Sequence, residues 1–247
     1  MSDEQQAGRF ETRFETVEFS RDGGVARIAL NRPDRMNAWS TQTSAEIMAI
    51  LSEIKDDDAV RVLLITGNGR GFCAGADLKD GGQAAGGRVS IDTDATLRDG
   101  YNPIVTALRE LEKPVVTAVN GAAAGAGVSL ALAGDIVVAA ESAYFLLAFA
   151  RIGLVPDGGA SLFVPARIGF TRAAEMALLA DRVPAAKAAE WGLINFAWPD
   201  DEFAAKTGEL VRKLASGPTR AYAGVKRELN AYLYSQLAPQ LDLEADI

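Results

Sequence analysis

Gly71-Phe72-Cys73-Ala74-Gly75-Ala76-Asp77-Leu78 and Asn120-Gly121-Ala122-Ala123-Ala124-Gly125-Ala126-Gly127 are the two stretches whose reading decides the fold. Each follows a short apolar run that reads as a strand, Val60–Thr66 before the first and Pro114–Val119 before the second. Each is built largely from residues too small to shield their own backbone. Together they offer two sources of backbone N–H groups aimed at one point, which is what a reaction through a developing oxyanion needs. The acid-base group must come from elsewhere, and it is not histidine, because the chain has none. Tight helix–strand packing uses the same small residues, so either run alone reads as structural. A dinucleotide-binding reading of Gly67-x-Gly69-x-Gly71 lacks the full G-x-G-x-x-G pattern and a clear following helix.

Working outward, Thr16–Ser20 and Val25–Leu30 flank Arg21-Asp22-Gly23-Gly24 as a hairpin. Ser40 or Thr41 can cap a helix that runs to about Lys55, with Ile47, Ile50, Leu51 and Ile54 on one face. Lys79–Gly100 has no clear period and reads as a mobile surface loop, long enough for a lid. Tyr101–Leu111 reads as helix, Asp135–Ala140 as strand, and the second small-residue run should open a helix. Helices are expected from about Gly159, Thr171 and Pro184, and a strand near Leu193–Trp198. From Asp201 onward Asp201–Ala215, Pro218–Leu233 and Leu237–Ile247 all look helical. The expected division is therefore a mixed α/β core over residues 1–200 and a helical region over 201–247.

The 247 residues suffice for one large domain, or for one domain with a small appendage. Net charge is −8 with no basic block, which argues against nucleic acid or an anionic membrane as partner. A single cysteine, Cys73, excludes an internal disulfide, and without histidine a structural zinc site is not expected. Met1–Thr16 has no apolar segment of the signal-peptide kind, and no apolar run reaches membrane-spanning length. A cytoplasmic protein is expected.

Arg32-Pro33-x-x-x-Asn37-Ala38, together with the two small-residue runs, resembles the crotonase (enoyl-CoA hydratase/isomerase) superfamily in order and spacing. Within it the chain is most similar to the ring-1,2-epoxyphenylacetyl-CoA isomerases. That likeness is carried by Gly121–Ala140, by Ala148-x-x-x-x-Gly153-Leu154-Val155-Pro156-Asp157-Gly158-Gly159, by Ala189-Glu190-Trp191-Gly192-Leu193-Ile194 and by Gln240-Leu241-Asp242-Leu243-Glu244. The resemblance implies a spiral of ββα units with a helical C-terminal trimerisation region, a homotrimer or homohexamer, and a role in fatty acid or aromatic catabolism. The implied ligand is an acyl-CoA thioester, with no cofactor beyond its CoA moiety. Its carbonyl oxygen would sit between the amides of Ala76 and Ala126. The CoA moiety would lie along Met36 and Ala38, along Ala74, Gly75, Asp77 and Leu78, and beside Gly125. Relatives usually continue past the position of Ile247 through a further segment that helps cover the ligand.

Hydratases of this family carry two glutamates, and the corresponding positions here are Ser129 and Phe149. The acid-base pair for adding water is thus not expected. Asp157 remains, where related isomerases place an aspartate. Burial there would raise its proton affinity and suit a shuttling base. The competing reading makes Asp157 the N-cap of the helix near Gly159. Asp77 reads as bracing its own loop, Cys73 as a packing residue, Phe149 and Phe145 as pocket wall or core, and Glu141 as surface. Ser129 lacks a partner that would make it a nucleophile. Three activities follow from the resemblance: an acyl-CoA isomerase, an aryl-CoA dehalogenase-type hydrolase with Asp157 as nucleophile, or a non-catalytic acyl-CoA-binding paralogue.

Overall fold

A computed structural model describes residues 10–78 and 93–247. The greater part of the expected Lys79–Gly100 loop lies outside the described residues. Its end is helical instead of loop: α2 (Thr93–Ala95) runs into a wider π-helical stretch, Thr96–Tyr101, and then into α3 (Asn102–Glu110). Leu97 and Tyr101 are buried there, so a tertiary anchor overrides a weak local pattern.

The larger sheet has seven strands in the order β1-β2-β3-β4-β6-β8-β11. β1 (Phe10–Arg13), β2 (Val17–Asp22) and β3 (Val25–Leu30) form an antiparallel meander, as the hairpin signal requires. β3, β4 (Val62–Gly67), β6 (Val115–Val119), β8 (Ile136–Ala140) and β11 (Phe196–Trp198) then run parallel. β4 and β6 are buried along their whole length, which is why they read as continuous apolar runs. One face of this sheet packs on the main core. The other meets α7 (Asp200–Ser216) through Val62, Leu64, Val116, Val138, Val211 and Ala215.

The second sheet has the order β10-β9-β7-β5, and its strands are β5 (Gly71–Cys73), β7 (Ala122–Ala124), β9 (Tyr144–Leu146) and β10 (Val183–Pro184). Strands of this length carry no readable alternation, and the sequence reading did not find them. They complete the spiral. β4 and β5 precede the helical stretch through α3, β6 and β7 precede α4 (Ala126–Leu132), and β8 and β9 precede α5 (Ala160–Leu179). Each turn leaves one strand in each sheet. The helices expected from Gly159 and Thr171 are the two halves of α5, parted at Gly169, where the backbone is not helical.

α1 (Thr41–Ile54) begins at Ser40, whose hydroxyl accepts from the Thr43 amide at 3.2 Å, and it buries the four apolar residues expected of it. Such a cap contributes about 1 kcal/mol. α6 (Ala185–Trp191) follows β10. Beyond α7 come α8 (Thr219–Leu233) and α9 (Leu237–Asp246). α8 is fastened to α3 by buried Lys226, which donates to the Leu108 carbonyl at 2.7 Å and pairs with Asp135 at 3.0 Å.

Candidate active site

β5 and β7 are adjacent and parallel, with Gly71 opposite Ala122 and Cys73 opposite Ala123. Both therefore deliver their chains to the same end of the small sheet. Gly75 and Gly125 follow there, each with positive φ, 95° and 51°. A Cβ at Gly75 would lie 2.9 Å from the Ala124 carbonyl oxygen and 3.6 Å from the Ala126 nitrogen, so only glycine lets the two loops close on each other. The next residue on each loop is a donor expected from sequence, Ala76 or Ala126. Among the described residues, neither amide donates to a turn, loop or cap acceptor. The Ala126 amide is the first of α4 and has no acceptor within the helix. Phe149 packs against this second loop, its Cζ 3.9 Å from the Cβ position of Gly125, and is itself buried in the main core.

Side chains brace the first loop from below. The Asn37 amide group donates to the carbonyls of Asn68 at 2.9 Å and Gly71 at 2.8 Å. Asn120 donates to the Gly69 carbonyl at 2.9 Å and accepts from the Gly67 amide at 3.1 Å. Arg32 pairs with Asp77 at 2.6 Å and donates to the Ala38 carbonyl at 2.7 Å. Asp77 is thus a brace, as read from sequence. The two segments named for CoA lie side by side: the Ala74 amide donates to the Met36 carbonyl at 3.0 Å and Trp39 donates to Gly75 at 2.7 Å. Along this rim Ala74 and Leu78 are exposed, and Met36 and Ala38 are partly so. Burial pushes the Cys73 thiol up to about 12, which makes it a packing residue and not a nucleophile.

Asp157 sits in the turn before α5 and is 8% exposed. The capping alternative is overturned: α5 has no side-chain cap at its N-cap residue, Gly159, and it is the Asp157 carbonyl that accepts from the Ala160 amide. The carboxyl Oδ1 is buried without any hydrogen-bond partner. Burial, followed by the negative charge of Glu244, raises its pKa to about 7. Asp157 is tied to the Ala126 loop through α4. Ser129, one turn after Ala126, donates its buried hydroxyl to the Asp157 carbonyl at 2.6 Å. The structure thus brings Ala76, Ala126 and the Asp157 backbone onto neighbouring elements. The described walls of the cavity that Asp157 lines include neither alanine.

Sequence reasoning gave no role to Ser129 or Glu244. Ser129 reads from sequence as the position of a missing glutamate and as a serine without a partner to make it a nucleophile. Glu244 was seen only within a matching run, with nothing in the sequence to say that it faces residues 157–161.

This ββα spiral with paired sheets is the crotonase fold. The Enoyl-CoA hydratase/isomerase family profile matches residues 20–247, and the chain belongs to that family. It is 43% identical over 223 residues to the 1,2-epoxyphenylacetyl-CoA isomerase of Escherichia coli (strain K12), covering 90% of this chain and 85% of that one. It is also 43% identical over 232 residues to a probable enoyl-CoA hydratase of Rhodobacter capsulatus, covering 94% and 88%. The crystal structure of an enoyl-CoA hydratase from Mycobacterium avium subsp. paratuberculosis K-10 superposes with a TM-score of 0.86 at 39% identity, covering 95% of this chain and 89% of that one. Membership places the chain in the acyl-CoA hydratase/isomerase class of enzymes. Among the described residues no helix is long and apolar enough to cross a membrane.

Proposed function

We propose that the protein is an acyl-CoA isomerase, acting on an enoyl-CoA or a ring-epoxide acyl-CoA thioester through an enolate-like intermediate. The observation that carries this reading is the buried Asp157 carboxyl, whose Oδ1 has no hydrogen-bond partner and whose pKa is raised to about 7. Such a group can take and return a proton near neutral pH. With a 3-enoyl-CoA, the Asp157 carboxylate removes a proton from C2 and the electron pair moves into the thioester, leaving charge on the carbonyl oxygen. The amides of Ala76 and Ala126 hold that charge, each donor contributing about 3 kcal/mol in comparable sites. Asp157 then returns the proton to C4, and the double bond has moved without net gain or loss of atoms.

Two side chains weigh against hydration. Ser129 is fully buried and its hydroxyl is committed to the Asp157 carbonyl, while Phe149 brings an apolar ring to the second loop. Neither can activate water. On this reading the CoA moiety lies along Met36–Ala38 and Ala74–Leu78, which the exposure of Ala74 and Leu78 supports. Exposed Phe170, Leu178 and Leu179 of α5 and Leu229 and Tyr232 of α8 support a self-associating chain, a homotrimer or homohexamer.

The experiment offers 3-hexenoyl-CoA and crotonyl-CoA to the wild type and to Asp157→Asn, following absorbance and mass. Isomerisation of the first without hydration of the second, lost in Asp157→Asn, is the expected result. Hydration of crotonyl-CoA that survives Asp157→Asn overturns the assignment.

A further inference from the structure

We propose, building on the acid-base assignment of Asp157, that Glu244 of the tail helix α9 is a positioning residue for the Asp157 carboxyl, fixing both the turn that carries it and the charge that faces it. α5 opens without a cap from its own N-cap residue. The Ala160 amide reaches the Asp157 carbonyl, but the Gly159 and Ser161 amides would be left unsatisfied in a buried corner. Glu244 supplies the acceptors from 85 residues further along the chain: Oε2 takes the Gly159 amide at 2.7 Å, and Oε1 takes both the Ser161 amide at 3.0 Å and the Ser161 hydroxyl. Gln240, on the same helix, donates to that hydroxyl at 2.7 Å. Gly158 and Gly159, the two residues after Asp157, adopt φ of 59° and 86°. Anchoring the second of them fixes where the carboxyl can point.

Asp157 and Glu244 also line one cavity of about 410 Å³. Both oxygens of Glu244 are taken by donors, whereas Asp157 Oδ1 has none. Burial raises the Glu244 pKa as well, but its donors oppose that rise, so on this proposal Glu244 gives up its proton first and its charge holds the proton on Asp157. The cavity's other ionisable side chains are Asp94 of α2 and Asp246 of α9, both exposed and both held by Arg98, which also pairs with Asp242. On the turn Phe149–Ile152, exposed Arg151 pairs with Asp181 at 3.9 Å. From α4, Ser129 offers its hydroxyl to the Asp157 backbone. Among the described residues, the charge that acts on Asp157 is that of Glu244.

The test follows the Asp157 carboxyl itself. The full chain is labelled with ¹³C at aspartate and glutamate carboxyls, and Asp157→Asn and Glu244→Gln assign the two resonances. In the wild type the Asp157 resonance should titrate in two steps, one of them shared with Glu244. In Glu244→Gln it should titrate in one step at lower pH, displaced by roughly half a unit or more. Turnover of 3-hexenoyl-CoA should fall roughly 10- to 100-fold in kcat with KM nearly unchanged. Independent single-step curves in the wild type, or an unmoved Asp157 in folded Glu244→Gln, overturn the proposal. Should Glu244→Gln not fold, the wild-type curves decide alone. If Asp157 moves as expected but Asp157→Asn still turns over the thioester, the positioning role stands and the acid-base assignment falls.

Discussion

Glu46 and Asp157 are both buried carboxyls, 5% and 8% exposed, and they have opposite surroundings. Glu46, on α1, accepts from the amides of Glu15 at 2.8 Å and Thr16 at 2.9 Å, from the Thr16 hydroxyl at 2.6 Å and from Gln42 at 2.9 Å. Burial alone would raise its pKa, but these donors together bring it below the ordinary value. Asp157 has burial without such donors on Oδ1, and its pKa rises. Burial thus does not by itself set the direction in which the proton affinity of a carboxyl moves. In this pair the donors decide: they hold the satisfied Glu46 toward its charged form, whereas Asp157, unsatisfied at Oδ1, is pushed toward its protonated form. Glu244 lies between them, with donors on both oxygens opposing a rise caused by burial.

The largest effect that tests this contrast is on turnover. Asp157→Asn should lower kcat for 3-hexenoyl-CoA by about 10²–10⁴-fold, the range for a lost general base. Glu46→Gln should leave kcat per folded molecule unchanged. It should instead cost about 2–3 kcal/mol of stability by urea denaturation, because donors that faced a carboxylate would face an amide. Equal loss of turnover in both variants would break the distinction.

The same pair predicts opposite pH slopes. Glu46 is depressed in the folded state, so its contribution is present above the unfolded value of 4.5 and is lost as pH falls through the lower folded value. Asp157 is raised from 3.8 to about 7, so folding retains a proton that the unfolded chain has released across that window. Its contribution is lost as pH rises toward 7, at about 1.4 kcal/mol per pH unit at most, and is constant above. Asp157→Asn should therefore gain stability over the wild type between pH 5 and 7, measured as urea midpoints. Next in size, Gly127→Ala should lose about 1–3 kcal/mol, because the added Cβ would lie 2.2 Å from the Cys73 carbonyl oxygen where α4 crosses β5.

What is legible in the sequence is set by the range of each interaction. The buried strands β4 and β6 and the capped helix α1 are local patterns, and they stand where their residues predict, within a few positions. The two glycine loops are also local, since Gly75 and Gly125 advertise their backbone by their own composition. The small sheet was not legible, because three-residue strands such as β5 and β7 exist only by pairing with one another. Asp157 was legible as a residue and not as a state: cap or base could not be separated without knowing whether a donor meets its carboxyl. That answer depends on Glu244, far along the chain, which takes the capping role and leaves Asp157 free of it.

The finest test of the contrast lies in Ser129. Its hydroxyl is fully buried and holds the Asp157 carbonyl at 2.6 Å, so it satisfies the backbone of the residue and leaves the side chain alone. Ser129→Ala removes one neutral hydrogen bond and should cost about 1 kcal/mol, a fall in Tm of roughly 2–4 °C for a chain of this size. If donors to the carboxyl itself, and not to its backbone, set the proton affinity, the pH at which kcat/KM changes should stay with the wild type. A pH profile displaced as far as in Glu244→Gln would mean that the turn, more than the facing charge, governs Asp157. The comparison with Glu46 would then have to be drawn at the backbone.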